Sequence, residues 1–163
     1  MADPQPRPIS AAEVRRRLRR ASKIARFLGF VGHVEYRHVV SGSGGAQFLA
    51  ATQALDDRLI VDAQAFARDR DPDDFSLAAI IAHERGHQLV FRHPMLRRMM
   101  RKGFSTTSEE ILASLIGSII SRHERDRQTL HGKALYDAVR HGMPTDQAVA
   151  CIFRLRELLE LAL

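Results

Sequence analysis

Residues 80–89 read IIAHERGHQL and contain the motif His83-Glu84-x-x-His87. Apolar residues flank the motif on both sides, which predicts a helix that packs into the protein interior. Two residues four apart on a helix lie on one face, one turn above each other, so both imidazoles can reach one ion. Zn²⁺ binds imidazole nitrogens at about 2.0–2.1 Å. His83 and His87 are therefore predicted metal ligands.

Glu84 directly follows the first histidine of the motif, so its carboxylate points beside the ion rather than at it. A carboxylate there can take a proton from the attacking water and later deliver it to a leaving amine. The metal ion would polarise the scissile carbonyl and make the water more acidic. These features predict a zinc metallopeptidase in which Glu84 is the general base.

A catalytic zinc ion usually has three protein ligands and one open position. His93 would give the ligand spacing of metzincins, but Val90 stands where those enzymes have a glycine at a sharp turn. A β-branched residue resists the positive φ of such a turn. His93 is therefore the weakest candidate for the third ligand.

The helix predicted after the motif offers two further candidates, Glu109 and Glu110. Glu109 shares a helix face with large apolar residues, whereas Glu110 shares one with small residues. The small residues are Ala113, Ser114, Gly117 and Ser121. Small residues let two helices approach closely, and Gly86 does the same on the motif helix. Glu110 is the preferred third ligand, and Glu109 and His93 remain alternatives.

The pattern along the chain predicts an α+β fold in which a small antiparallel sheet packs with zincin-type active-site helices and additional C-terminal helices. The predicted strands cover residues 30–40, 47–53 and 58–64. The predicted helices start at a Ser10 cap, at Asp71-Pro72, at Thr106 or Thr107, and at Pro144. Residues 95–103 are interpreted as a connection, and Gly132 and Gly142 as breaks.

The chain has 163 residues, of which 45% are hydrophobic. These values indicate a single folded domain over residues 11–163, after a disordered, proline-rich lead-in at residues 1–10. Cys151 is the only cysteine, so no intramolecular disulfide is expected and a cytoplasmic location is predicted. No apolar stretch is long enough to predict a membrane span.

The positive charge is concentrated near the N-terminus. Residues 1–38 carry nine Lys/Arg against three Asp/Glu, whereas residues 39–163 carry sixteen of each. A basic helix of this kind can bind an acidic partner or nucleic acid. Phe27 is the only aromatic residue of its predicted helix, which leaves little for base stacking.

Residues 45–121, with a strand, the motif at residues 76–87 and a following Glu-x-x-Ala helix, resemble the ImmA/IrrE family of zinc metallopeptidases. The resemblance implies a gluzincin site in which His83, His87 and Glu110 hold zinc and Glu84 is catalytic. It also implies a protein substrate, since members commonly cleave a DNA-binding repressor. The family pattern often has Asn where this chain has Ser114.

The sequence therefore favours a zinc-dependent endopeptidase that acts on a protein or peptide substrate such as a regulatory protein. The alternative is a non-catalytic zinc-containing regulator or interaction module that uses the basic N-terminal helix. In the endopeptidase, a substrate strand would pair with an exposed edge at residues 47–53 or 58–64. Residue type alone offers four candidates for stabilising the oxyanion, namely His123, His131, Tyr136 and Tyr36.

Overall fold

The computed structural model describes residues 10–37, 45–62, 75–101 and 106–163. Its helices are α1 (Ala11–Phe27), α2 (Leu77–Arg92), α3 (Pro94–Arg101), α4 (Thr106–Ile120), α5 (Glu124–Arg140) and α6 (Thr145–Ala162). Its strands are β1 (His33–Arg37), β2 (Ala46–Leu49) and β3 (Arg58–Asp62). The small sheet and the helices confirm the predicted α+β class. None of the helices described is long and apolar enough to cross a membrane.

The three strands form one mixed sheet in the order β1-β3-β2. Strand β1 runs parallel to β3 and β2 runs antiparallel to it, so the prediction of an antiparallel sheet is wrong. Leu59, Ile60 and Val61 are each at most 2% exposed, whereas β1 and β2 both keep exposed residues. The most deeply buried strand therefore takes the central position, where both of its edges are covered.

Helix α1 begins where the sequence predicts it. The Ser10 hydroxyl accepts a hydrogen bond from the Glu13 backbone N–H at 3.2 Å, as an N-cap residue does. The Glu13 carboxylate bonds to the guanidinium groups of Arg16 and Arg17 instead of completing a capping box. Ala21 and Ala25 are buried against the rest of the protein, so the basic side chains of the helix occupy its outer faces.

Helix α2 lies between two apolar clusters and therefore in the middle of the fold. Leu77, Ile80 and Ile81 pack with the sheet and α1 on one side. Val90 joins a second cluster, built mainly from α4, α5 and α6. The N-cap residue of α2 is Ser76, whose hydroxyl accepts a hydrogen bond from the Ala79 N–H at 3.0 Å. The helix start predicted at Asp71-Pro72 lies outside the described residues.

Two sequence-based interpretations are corrected by the helices that follow α2. Pro94 ends α2, as predicted, but it also begins α3 in the segment interpreted as a connection. Proline is well suited to the first position of a helix, and the buried Leu96 anchors this one. Gly132 lies inside α5 rather than at a break. One glycine costs a helix about 1 kcal/mol, which tertiary packing readily overcomes.

Candidate metal centre

The site is built where α2 and α4 approach most closely. A Cβ atom added to Gly86 would lie 2.2 Å from the Ala113 carbonyl oxygen. A Cβ atom added to Gly117 would lie 3.0 Å from the backbone of Ala82. Only a glycine at position 86 allows the backbone of α4 to come this close to α2. The two helices can therefore contribute side chains to one small site.

Two imidazole nitrogens and both oxygens of one carboxylate converge between these helices. The Nε2 atoms of His83 and His87 lie 3.1 Å apart. The Glu110 carboxylate places one oxygen 3.2 Å from the His83 Nε2 atom and the other 3.2 Å from the His87 Nε2 atom. The geometry thus brings together the three residues that the sequence predicts as ligands.

The spacing of these atoms fits a tetrahedral zinc site. Two ligand atoms bound to zinc at about 2.0–2.1 Å with a tetrahedral angle are about 3.3–3.4 Å apart. The observed separations of 3.1 and 3.2 Å are close to this value. Two imidazoles and one carboxylate are also ligand types that zinc accepts. His83, His87 and Glu110 would hold the ion.

The second nitrogen of each histidine ring is engaged away from this cluster. His87 Nδ1 lies 2.9 Å from Glu109 Oε1, and His83 Nδ1 lies 3.1 Å from the Ser114 hydroxyl. Metal-binding histidines usually donate this second N–H to a carboxylate or another acceptor, which fixes the ring and directs Nε2 at the metal. Glu109, an alternative third ligand, therefore occupies a supporting position.

The acidic surroundings of His87 shift its protonation. Burial alone would lower the pKa of His87, but its hydrogen bonds to Glu109 and Glu110 outweigh burial and raise the pKa to about 10. Hydrogen bonds from His83 and His87 hold the pKa of Glu110 well below its usual range. The cluster therefore attracts a positive charge, which either a proton or a metal ion can supply.

Glu84 lies beside the cluster, as its position in the motif predicts. It is 8% exposed, and one carboxylate oxygen accepts a hydrogen bond from the Phe48 N–H of β2 at 2.7 Å. Burial raises the pKa of Glu84, although positive charge on His83 and His87 opposes the rise. Glu84 also offers an oxygen within 4.8 Å of the histidine nitrogens. Glu110 is nearer to both rings, with its oxygens 3.2 Å from their Nε2 atoms.

The other candidate residues occupy different places. His93 is the C-cap residue of α2, beyond the helical residues that carry His83 and His87. His123 is the N-cap residue of α5, and Tyr136 is 61% exposed. The His131 ring packs against Phe153, and the Tyr36 hydroxyl accepts a hydrogen bond from Arg17. In the described parts of the chain, none of these five residues hydrogen-bonds to the cluster.

A second polar cluster fixes α2 to the segment before β3. Asp57 is fully buried, and one of its carboxylate oxygens accepts a hydrogen bond from Gln88 Nε2 at 2.7 Å. Arg92 makes an ion pair with the same carboxylate and donates to the Ala51 carbonyl oxygen at 2.7 Å. We call Asp57, Gln88 and Arg92 the sheet clamp. The clamp holds α2 in a fixed position against the strands beside the metal centre.

Sequence reasoning missed three features of this region. The sheet clamp joins residues more than thirty positions apart, and its local sequence carries no signal. Ser114 was noted as a small residue near Glu110 and as a departure from the family pattern, but not as a partner of His83. Lys133 of α5, whose Nζ atom lies 3.4 Å from Glu110 Oε2, has no motif around it. Ser114 follows Glu110 by four residues and therefore lies on the same helix face. This spacing was the one signal in the sequence that placed Ser114 near the metal ligands.

Comparison with known proteins adds no further information. No protein-family model, no curated protein and no solved structure matches this chain. The resemblance to the ImmA/IrrE family therefore stays a prediction that rests on the motif and its context.

Proposed function

We propose that the chain is a zinc-dependent endopeptidase that hydrolyses peptide bonds in a protein substrate. The observation that carries this proposal is the convergence of the His83 and His87 Nε2 atoms on the Glu110 carboxylate, with separations of 3.1–3.2 Å. Their second ring nitrogens are hydrogen-bonded elsewhere, so both Nε2 atoms face a common point. This arrangement favours a catalytic metal site with three protein ligands.

The reaction that these residues support is addition of water to the scissile carbonyl. When bound, zinc supplies Lewis acidity, which polarises the carbonyl and makes the attacking water more acidic. Glu84 accepts the proton that water loses as its oxygen bonds to the carbonyl carbon. Glu84 then delivers this proton to the amide nitrogen as the C–N bond breaks, so one water yields a carboxylic acid and an amine. The raised pKa of Glu84 suits both proton transfers.

Strand β2 is the edge on which we expect the substrate to pair. The alternative edge at residues 58–64 is wrong, because β3 lies between β1 and β2. The Phe48 N–H points away from β3 and towards Glu84. An extended substrate beside β2 would therefore lie next to the general base. Main-chain pairing of this kind gives affinity with little sequence preference.

The resemblance to ImmA/IrrE peptidases favours a regulatory protein as the substrate. A DNA-binding repressor is the class that the family commonly cleaves. Because no comparison supports the family, this substrate and the cytoplasmic location both stay predictions. The cleavage experiment below therefore starts from unspecific substrates.

A non-catalytic interaction role is the second candidate, and a groove beside α1 favours it. The groove has a volume of about 1030 Å³ and is lined mostly by apolar atoms. Among its described lining residues, Arg19, Lys23, Arg26 and Arg122 are exposed cations, and none of the four pairs with a described carboxylate. An acidic, amphipathic protein segment would complement this surface. Charge reversal at Lys23 and Arg26 would abolish such binding and leave zinc affinity unchanged.

The test of the peptidase proposal has two stages. We expect about one zinc ion per wild-type chain by plasma mass spectrometry, lost in His87→Ala and Glu110→Ala and kept in His93→Ala. Zinc-loaded wild type should then cleave unfolded casein or a mixed peptide library, and Glu84→Gln should retain zinc but lose cleavage by a factor of roughly 100 or more. A zinc-loaded wild type without any cleavage, or full cleavage by Glu84→Gln, would contradict the proposal.

A further inference from the structure

Lys133 is a charged residue that the roles described above leave unused. Its Nζ atom lies 2.6 Å from Asp137 Oδ2 and 3.4 Å from Glu110 Oε2. The same Glu110 oxygen lies 3.2 Å from the His83 Nε2 atom. The ammonium group therefore contacts one of the converging groups, the Glu110 carboxylate, directly. In the described residues it is the one Lys or Arg side chain that pairs with Glu110.

The position of Lys133 is fixed from within its own helix. Asp137 lies one turn further along α5 and holds the ammonium group as an i,i+4 ion pair. The Lys133 side chain is 27% exposed and the Asp137 side chain 16%, so the pair is partly removed from solvent. A lysine ammonium has three N–H donors. Two are directed at Asp137 and Glu110, which leaves one for a further acceptor.

Lys133 and Glu84 reach the metal centre from different elements. Glu84 is held by the Phe48 N–H of β2, whereas Lys133 extends from α5 to Glu110 on α4. Hydrolysis develops negative charge on the carbonyl oxygen while the base removes a proton from water. Donors fixed where this charge develops give a large part of the rate acceleration in many enzymes. A cation separate from the base meets this requirement.

We propose that Lys133 donates its remaining N–H to the carbonyl oxygen as that oxygen becomes an oxyanion. The inference rests on the proposed peptidase function. When the water oxygen bonds to the carbonyl carbon, the carbonyl π electrons move onto its oxygen and Glu84 takes the released proton. Lys133 stabilises the new negative charge by a charge-assisted hydrogen bond and keeps its own proton. Glu84 then protonates the departing nitrogen as the carbonyl re-forms.

The experiment uses methylphosphonate, a tetrahedral anion that resembles the oxyanion, with zinc-loaded protein. Calorimetry gives its affinity for wild type, Lys133→Met, Lys133→Arg and Arg140→Met, a matched loss of one charge at an exposed position of the same helix. Competition with a chromophoric chelator gives the zinc affinity of each variant. Circular dichroism checks that each variant is folded, and imidazole serves as a neutral zinc-binding probe.

We expect Lys133→Met to bind methylphosphonate roughly 10- to 100-fold more weakly than wild type, as loss of a hydrogen bond to a charged group implies. Lys133→Arg should keep most of the affinity, and Arg140→Met all of it. Imidazole affinity should stay within about threefold in every variant, because neutral imidazole carries no negative charge for Lys133 to stabilise. All methylphosphonate affinities are compared at full zinc occupancy, because Lys133 contacts the ligand Glu110.

Three results would overturn the inference. Zinc-loaded wild type that does not bind methylphosphonate, or binds it no better than Lys133→Met does, would show that Lys133 does not face the oxyanion. A fall in zinc affinity with unchanged methylphosphonate binding would make Lys133 a positioning residue for Glu110. Wild type that binds no zinc would refute the peptidase proposal as well, which separates the two failures.

Discussion

Two faces of α2 carry polar side chains at the same four-residue spacing. The two clusters that they form differ in whether hydrogen-bond donors match the acceptors. On the sheet face, Gln88 and Arg92 supply donors, and the Asp57 carboxylate accepts from both and from the Ala51 N–H. On the α4 face, the Nε2 atoms of His83 and His87 meet the Glu110 carboxylate. The first cluster is complete, whereas the second brings acceptors together and requires a cation.

This difference separates a structural cluster from a binding site. Buried polar groups are normally hydrogen-bonded, and a complete network such as the sheet clamp needs nothing further. Converging acceptors repel each other unless a proton or a metal ion lies between them. Without a metal ion, a proton on His87 supplies this positive charge, and the pKa of His87 is therefore raised. The following predictions act on one face at a time.

The largest effect is expected from Gly86→Ala, which acts on the α4 face. Its Cβ atom would lie 2.2 Å from the Ala113 carbonyl oxygen, so α2 and α4 must separate. We expect a loss of about 4 kcal/mol or more in the free energy of unfolding, measured by urea denaturation. The matched control is Gly132→Ala in α5, where a Cβ atom would meet nothing within 4 Å.

The control variant should gain stability, by up to about 1 kcal/mol, because alanine favours helix. Equal stabilities for Gly86→Ala and wild type would show that the two helices are not in the close contact described. That outcome would also remove the reason for Glu110 to reach the histidines.

The second largest effect is expected from Asp57→Asn, which breaks the sheet clamp and leaves the metal ligands in place. An asparagine amide has only one acceptor oxygen. It cannot accept hydrogen bonds from Arg92, Gln88 and the Ala51 N–H as the two carboxylate oxygens do. We expect a loss of about 2 kcal/mol in metal-free protein, since Asp57 is fully buried but Arg92 reaches solvent. Urea denaturation measures it. Glu13→Gln on the exposed face of α1 is the control and should change stability little.

The contribution of Asp57 should also depend on pH. Burial alone would raise the pKa of Asp57, but hydrogen bonds from Arg92, the Ala51 N–H and Gln88 lower it below its ordinary value of 3.8. The stabilisation is therefore fully present above that value and is lost as the pH falls through the folded-state pKa. The stability difference between wild type and Asp57→Asn should be constant above about pH 5 and narrow below about pH 4. A difference that widens on acidification would contradict this origin.

A smaller effect is expected from Glu109→Ala, which removes support from one ligand only. His87 would keep its place on α2 but lose the partner of its Nδ1 atom. We expect zinc affinity to fall roughly 10-fold, as loss of an outer partner typically causes. Chelator competition measures it, with His93→Ala as the unchanged control. A complete loss of zinc in Glu109→Ala, with zinc kept in Glu110→Ala, would exchange the roles assigned to the two glutamates.

Local periodicity made much of the candidate site predictable. The four-residue spacing of His83 and His87, and the small residues on the face of Glu110, depend on helix geometry alone. The N-cap at Ser10 and the end of α2 before Pro94 are equally local. The choice of Glu110 over Glu109 rested on which face of α4 bears small residues, and the structure brings Glu110 against both histidines.

Contacts between distant segments were not predictable from these patterns. Strand alternation shows where a strand is but not which strand it pairs with, so the parallel pairing of β1 with β3 was missed. The same holds for Asp57, which meets Gln88 and Arg92 across more than thirty residues. Such pairings depend on the summed burial of whole segments.

The sequence by itself determined that one helix carries His83, Glu84 and His87 on adjacent faces, because helical geometry is local. Only the tertiary structure decided that β2 lies beside Glu84, that Ser114 and Glu109 support the two histidines, and that Lys133 reaches Glu110. Those contacts arise because glycine and small residues let α2 and α4 approach closely, and because α5 packs against α4. Close packing between elements is a property of the whole fold, and no short segment contains it.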